Sequence, residues 1–312
     1  MKKIWAIMLA ALMVIGCAGC GNNGGGDDAA GLTGTDDGTS TASAAEMGEG
    51  QTTDESWAKV ESAGKLVLGL DDAFPPMGFV DTQTGELTGF DIDVASEVCS
   101  RLGIELITQP IDWDNKSAEL SNGNVDCLWN GFSETPERAA EFNLSIPYMK
   151  NDQIILVKSD STYKGLNDLA GKIVGVQADS SAEVALNENP DFKDTLKEVI
   201  QIDDYSKAVL EIQNGTIDAI AIDEVVARYY LQNNPGAYTI LQDENGEDAS
   251  LAQEDYVIGF RKGDDALKEK VEDAMKEMSA DGTMTEISEK WFGEDVTYSS
   301  AYHNSTLSKG RN

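Results

Sequence analysis

The chain has 312 residues, 56 of them acidic and 23 basic, for a formal net charge of −33. Nucleic-acid binding needs a basic surface and is excluded, while a neutral or cationic small ligand suits the field better than an anionic one. The single histidine, His303, lies in a polar C-terminal stretch. It argues against Ser-His-Asp or Cys-His catalysis and against histidine-based metal sites, so no catalytic residue, metal or cofactor is expected.

The predicted elements begin with an export signal. Lys2 and Lys3 precede an uninterrupted apolar run over 4–15, of signal-core length and short for a membrane span. Val14-Ile15-Gly16-Cys17 and Cys17-Ala18-Gly19-Cys20 follow. Each resembles the lipobox of bacterial lipoproteins, whose cysteine is diacylated and becomes the mature N-terminus. Cys17 and Cys20 both qualify; an ordinary cleaved signal with incidental cysteines is the alternative. A diacyl anchor holds firmly where one chain does not. The expected address is the cell membrane, facing the extracytoplasmic side, with residues 1–20 as signal and lipobox. Residues 21–56 are Gly, Ser, Thr, Ala, Asp and Glu with almost no large apolar side chains, which predicts a flexible spacer. Cys99 and Cys127 lie in apolar stretches and read as buried free thiols, with a bridge as the alternative.

The rest of the chain echoes itself. Residues 118–130 read AELSNGNVDCLWN and residues 210–223 read LEIQNGTIDAIAID. Each predicts a helix end, an Asn-Gly cap and a buried strand. Gly64-Lys65-Leu66-Val67 and Gly171-Lys172-Ile173-Val174 open a strand ahead of each echo. Between them, 91–102 carries Ile92, Ala95, Val98, Cys99 and Leu102 at helical spacing, closed by Gly103. A last helix over 264–279 presents Leu267, Val271, Ala274, Met275 and Met278 on one face. Such alternation predicts two α/β lobes with largely parallel sheets and a crevice beyond the strand ends. The loops to inspect follow Leu70, Trp129, Val176 and Ile222.

Those loops hold the candidate ligand residues. Asn130, Gly131 and Ser133 precede Arg138, which can grip a carboxylate in a bidentate fork; alternatively Ser133 caps a helix and Arg138 makes a surface pair. Asp223 ends an apolar strand, where it either meets an ammonium group or caps the following helix. Asp179-Ser180-Ser181 looks like a helix start with free N–H donors. Phe74, Trp113 and Trp129 are aromatics near strand ends that either fill the core or flank a ligand.

In order, LGLDDAFPPMGF, GELTGFDIDVASEV, NGNVDCLWNGFSETPER, FNLSIPY, LAGKIVGVQADSS, GTIDAIAIDE and DGTMTEISEKWFG resemble the polar amino-acid-binding proteins of ABC importers. These are the bacterial family 3 solute-binding proteins, and the likeness runs from about 67 to 293. The resemblance implies a two-lobed periplasmic-binding-protein-like fold, each lobe a mostly parallel sheet with flanking helices, joined by a two-strand hinge. Lobe 1 is expected over 57–150 plus 255–295, lobe 2 over 151–254, and a tail over 296–312. It implies that Arg138 takes the ligand α-carboxylate, helped by backbone N–H groups of Ser133 and Ser181. Asp223 takes the α-ammonium, with the Asn130 or Gly131 carbonyl and the Ser133 hydroxyl. Phe74 and Trp113 bracket the side chain, and Asp71 meets its polar end.

The chain departs from the pattern at Asp179, Glu134 and Asn130, where Gly, an apolar residue and a smaller residue are usual. Those departures bear on side-chain specificity. The expected partners are a free amino acid, basic or amide first and cystine-like second, and an ABC permease with its ATPase. The chain is expected to act as a monomer, without enzyme activity. A dehydratase-type enzyme on the same fold, with Glu134 as its acid or base, and a ligand-sensing receptor module are the alternatives.

Overall fold

The computed structural model describes residues 54–298. The signal, Cys17, Cys20 and His303 lie outside them, as does the spacer up to residue 53. Among the described residues no helix is long and apolar enough to cross a membrane.

Helix α1 (Ser56–Ala63) leads into β1 (Lys65–Leu70), the short strands β2 (Ala73–Phe74), β3 (Gly78–Val80) and β4 (Leu87–Thr88), and α2 (Phe90–Leu102). Strand β5 (Glu105–Pro110), α3 (Lys116–Ser121), β6 (Cys127–Ser133), α4 (Pro136–Glu141) and β7 (Asn143–Leu144) complete the first pass. The long β8 (Met149–Lys158) then enters a second unit of β9 (Ile173–Gln177), α5 (Ser181–Glu188), α6 (Pro190–Lys193) and β10 (Glu198–Ile202). That unit continues with α7 (Tyr205–Asn214), β11 (Ala219–Asp223), α8 (Glu224–Asn233) and β12 (Tyr238–Ile240). Strand β13 (Ser250–Phe260) returns to the first unit, where α9 (Asp265–Asp281) and α10 (Thr283–Phe292) pack.

The strand order is β10-β9-β11-β8-β13-β6-β1-β5. Pairs β1–β5, β1–β6, β9–β10 and β9–β11 are parallel, as the alternation predicts. The two long strands run antiparallel to one another and to both flanks. They therefore fuse two parallel half-sheets into one ten-stranded sheet. At the crossing, Asn151 pairs with Glu254 and Asp152 with Gln253.

The apolar runs are long because both faces of the second half-sheet are covered. Ile154, Leu156, Ile220 and Ile222 enter one core, and Ile155, Val157, Ala219 and Ala221 the opposite one. On α9, Leu267, Val271, Ala274, Met275 and Met278 are all buried, as their spacing predicts. Cys99 and Cys127 are free and buried.

The structure supplies the physical reason for the internal echo. Gly123 and Gly215 both adopt left-handed backbone, with φ of 75° in each case, just after α3 and at the end of α7. Three residues later the chain turns into a strand. Asp126 accepts the Val67 N–H at 2.9 Å while its own N–H donates to the Val67 carbonyl at 2.7 Å. Asp218 repeats the pair on Ile173, at 2.9 and 2.8 Å. Each aspartate thus locks a parallel strand to the first strand of its own half.

Candidate functional site

The strand ends flagged by the sequence converge on a narrow cavity near the crossing of the two long strands, almost filled by its own side chains, with about 10 Å³ of open volume. Phe74, Trp113, Asn130, Gly131 and Arg138 line it from the first half, and Gln177, Ser180, Ser181 and Asp223 from the second. That is far below the volume of a small-molecule pocket, so the convergence of these residues, not the open space, marks the site. A wider groove elsewhere is lined by Arg228, which is already paired with Glu224 and Asp248.

Arg138 begins the positive side. Thr135, not Ser133, caps α4, accepting the Arg138 N–H at 3.1 Å. The Arg138 side chain then folds inward, 4.3 Å over the Phe132 ring. Its Nη1 donates to the Ser133 carbonyl at 2.8 Å and its Nη2 to the Asp179 carbonyl at 3.5 Å. The residue is 8% exposed, and among the described residues no carboxylate lies within ion-pair distance of it. Burial pushes its pKa down against the pull of Glu254, Asp179 and Asp223. A buried guanidinium with only carbonyl partners is a strong anion site.

Asp223 forms the negative side. It stands at the N-cap of α8 but makes no capping hydrogen bond, which removes the capping alternative. Instead Oδ1 accepts from Asn151 Nδ2 at 2.8 Å, Gln153 Nε2 at 2.7 Å and the Tyr256 hydroxyl at 2.8 Å. Oδ2 has only the Tyr205 hydroxyl, at 3.5 Å, and so retains capacity for a further donor. Burial, then the charge of Glu254, pushes its pKa up to about 7.

Asp71 is also buried, accepting the Ala73 N–H at 2.8 Å and Gln177 Nε2 at 2.6 Å. Burial raises its pKa to about 6. Asn130 serves it from behind: its Oδ1 accepts the Asp71 N–H at 3.1 Å. Gly131 is left-handed at φ 54°, and an added Cβ would stand 2.8 Å from the Phe74 ring. Its N–H donates to Asp91 Oδ2 at 2.7 Å, a carboxylate whose pKa burial raises to about 7. Trp113 packs edge-on to Phe132, and Phe74 lies 5.7 Å from Tyr205 of the opposite half. Trp129, by contrast, is fully buried in the core beside Tyr148.

The two halves touch through polar groups. Ser133 and Ser181 hydroxyls lie 3.0 Å apart. Lys116, buried at the start of α3, pairs with the Asp179 carboxylate and donates to its carbonyl at 2.9 Å. Asp179 takes a left-handed φ of 54°, where the family pattern has Gly. Ser180 caps α5, leaving Ser181 in its first turn. Glu134 is exposed and does not line the cavity.

Residues 66–294 match the family model of bacterial extracellular solute-binding proteins, family 3. The chain belongs to that family. The L-cystine-binding protein TcyJ of Escherichia coli K12 is 33% identical to this family 3 protein over 77% of the chain and 86% of its own length. A Streptococcus pneumoniae ABC uptake transporter binding protein with bound histidine is 38% identical, with a TM-score of 0.73, covering 78% and 98% of the two chains. The structure of Tv2483 bound to L-arginine shares 32% identity at the same TM-score of 0.73, covering 79% and 98%. These relatives establish the two-lobed binding-protein fold and amino-acid binding for ABC import as the family's work.

Sequence reasoning missed Lys116, Asn151, Gln153, Gln177 and Glu254. Gln177 was within reach, since it directly follows Val176 at a flagged strand end. Asn151 and Gln153 alternate ahead of an apolar run, which places them on one face of β8. A lone Lys116 within a predicted helix gives no such signal.

Proposed function

We propose that this protein captures one polar amino acid, basic or amide in its side chain, by closing two lobes over it, and delivers it to an ABC importer. One observation carries the reading. A buried guanidinium without a carboxylate partner, Arg138, shares a narrow cavity with a buried carboxylate, Asp223, that has an oxygen to spare. That is the charge pattern of an α-carboxylate and an α-ammonium on one carbon. Arg138, with the Ser133 and Ser181 N–H groups, takes the carboxylate. Asp223, the Asn130 or Gly131 carbonyl and the Ser133 hydroxyl take the ammonium. Phe74 and Trp113 flank the side chain, and Asp71 meets its end.

Charge supports a cationic side chain. Arg138 shares the cavity with Asp223, Asp71 lies behind Gln177 of the lining, and Lys116 is already paired. A ligand of net positive charge balances this set better than a neutral one. The relatives named for cystine, arginine and histidine mark the range to test. Closure is favoured by contacts the ligand makes only with both lobes at once. On this reading Asp223 serves as a counter-charge, and the protein binds and releases without chemistry, like the binding proteins it resembles. Export and acylation at Cys17 or Cys20 would hold it, as a monomer, at the outer face of the membrane beside its permease and ATPase.

Calorimetric titration with arginine, lysine, glutamine and cystine tests the ligand class. Heat with none of them refutes it. Arg138→Ala should remove most of the binding while the fold persists; retained affinity refutes its carboxylate role.

A further inference from the structure

Glu254 is carried on β13 at the crossing point, paired with Asn151 of β8. Its Oε2 lies 2.6 Å from Ser133 Oγ, 2.9 Å from Gln153 Nε2 and 3.4 Å from Asn151 Nδ2. The same two amide nitrogens hold Asp223 Oδ1. Two carboxylates therefore share one pair of hinge amides. Both amides turn their NH₂ groups to the acids, and Asn151 Oδ1 and Gln153 Oε1 are left buried without hydrogen-bond partners among the described residues. An unpaired buried acceptor is costly, so the carboxylates dictate this arrangement.

The direction of the hydroxyl protons follows. A serine hydroxyl has one proton and two lone pairs. Glu254, as a carboxylate, only accepts, so the Ser133 proton points to it. Ser133 must then accept in its contact with Ser181, which donates across the cleft. One lone pair of Ser133 remains, and it can serve only a donor. A ligand ammonium is such a donor; a ligand carboxylate is not.

We propose that Glu254 is a positioning residue of the ammonium subsite: from the hinge strand it fixes Ser133 as an acceptor and adds a second negative charge beside Asp223. The inference rests on the amino-acid reading of the cavity and adds to it a source of selectivity for the α-amino group. It also ties that selectivity to closure. The chain Ser181–Ser133–Glu254 links the second lobe, the first lobe and the hinge, and it is complete only when the lobes meet.

The test compares two ligand pairs, arginine with 5-guanidinopentanoate and lysine with 6-aminohexanoate, on wild type, Glu254→Gln, Glu254→Asp and Ser133→Ala. Each analogue lacks only the α-ammonium. Wild type should prefer the amino acid by at least 100-fold. Glu254→Gln should cut that preference at least tenfold, with analogue affinity unchanged or improved. Glu254→Asp should recover part of it. Adding Glu254→Gln to Ser133→Ala should cut the preference by a smaller factor than Glu254→Gln does alone, because the hydroxyl route is already gone and only the charge remains. Equal losses for amino acid and analogue would mark Glu254 as a merely structural residue and overturn the proposal, as would an unchanged preference. Wild type that binds amino acids without discriminating against the analogues also overturns it. Wild type that binds none of arginine, lysine, glutamine and cystine overturns the amino-acid reading itself, and this inference with it.

Discussion

Ligand affinity should depend steeply on pH, in a way that reports what Asp71 meets. In the empty site Asp223 titrates near about 7 and Asp71 near about 6, both raised chiefly by burial. An ammonium group pairs with the ionised carboxylate, so binding releases whatever proton the empty site holds. The raised values mean that protons are held at low pH and lost as pH rises; affinity therefore rises with pH and levels off above the higher pKa. At pH 5, two units below its pKa, Asp223 is ionised in about one molecule in a hundred, a penalty of roughly 3 kcal/mol. Asp71, one unit below, adds roughly 1 kcal/mol, but only if the side chain of the ligand places a cation against it.

Two ligand types thus separate. From pH 8 to pH 5, a neutral side chain should lose about 100-fold in affinity and a cationic one about 1000-fold. Asp223 is surrounded by Glu254, Arg138, Tyr205, Tyr256 and the two hinge amides. With so many partners around Asp223, the count of released protons is the safer readout. Titration in buffers of different ionisation enthalpy gives that count directly. Constant affinity from pH 5 to pH 8 with no proton release would refute the reasoning.

Two further substitutions probe the frame of the site. Gly131→Ala places a Cβ 2.8 Å from the Phe74 ring and 3.1 Å from the Tyr256 ring at a left-handed φ of 54°. It should cost about 1–2 kcal/mol of backbone strain in stability and abolish measurable ligand heat, since Phe74 must move into the cavity; near-wild-type titration would contradict this. Asp218→Ala removes the acceptor for the Ile173 N–H and for the Tyr163 hydroxyl, and should lower unfolding free energy by about 1–3 kcal/mol in a urea titration. Asp126→Ala should do the same through Val67, and unequal effects beyond that range would undo the equivalence of the two echoes.

The echo shows how far the sequence carries the fold. Asn-Gly followed by a β-branched residue and Asp is local chemistry: a left-handed cap and an acid that reaches the adjacent strand. Both are visible as letters, and both recur because each lobe solves the same parallel pairing. The apolar stripe of α9 was legible for a similar reason, since 3.6-residue spacing survives any tertiary context. Trp129 was not, because strand side chains alternate faces and a one-residue difference decides between core and cavity. Asn130 follows it on the same strand and lines the cavity.

Contacts across the cleft are the hardest to read, because they join segments distant in the chain. Lys116 illustrates what they do. It pairs with Asp179, yet burial and the nearby Arg138 charge lower its pKa to about 8. A lysine that binds its proton less tightly than in water is worse off for being enclosed, so the pair recovers only part of its desolvation cost. Asp71 and Asp223, raised by burial, are worse off in the opposite sense. Each of these three groups thus opposes closure around an empty cavity. An amino acid reverses the balance at the two carboxylates and supplies the anion that Arg138 lacks. On the proposed reading, the polar contacts between the lobes would set the geometry of closure, and the charges of the ligand would provide its drive.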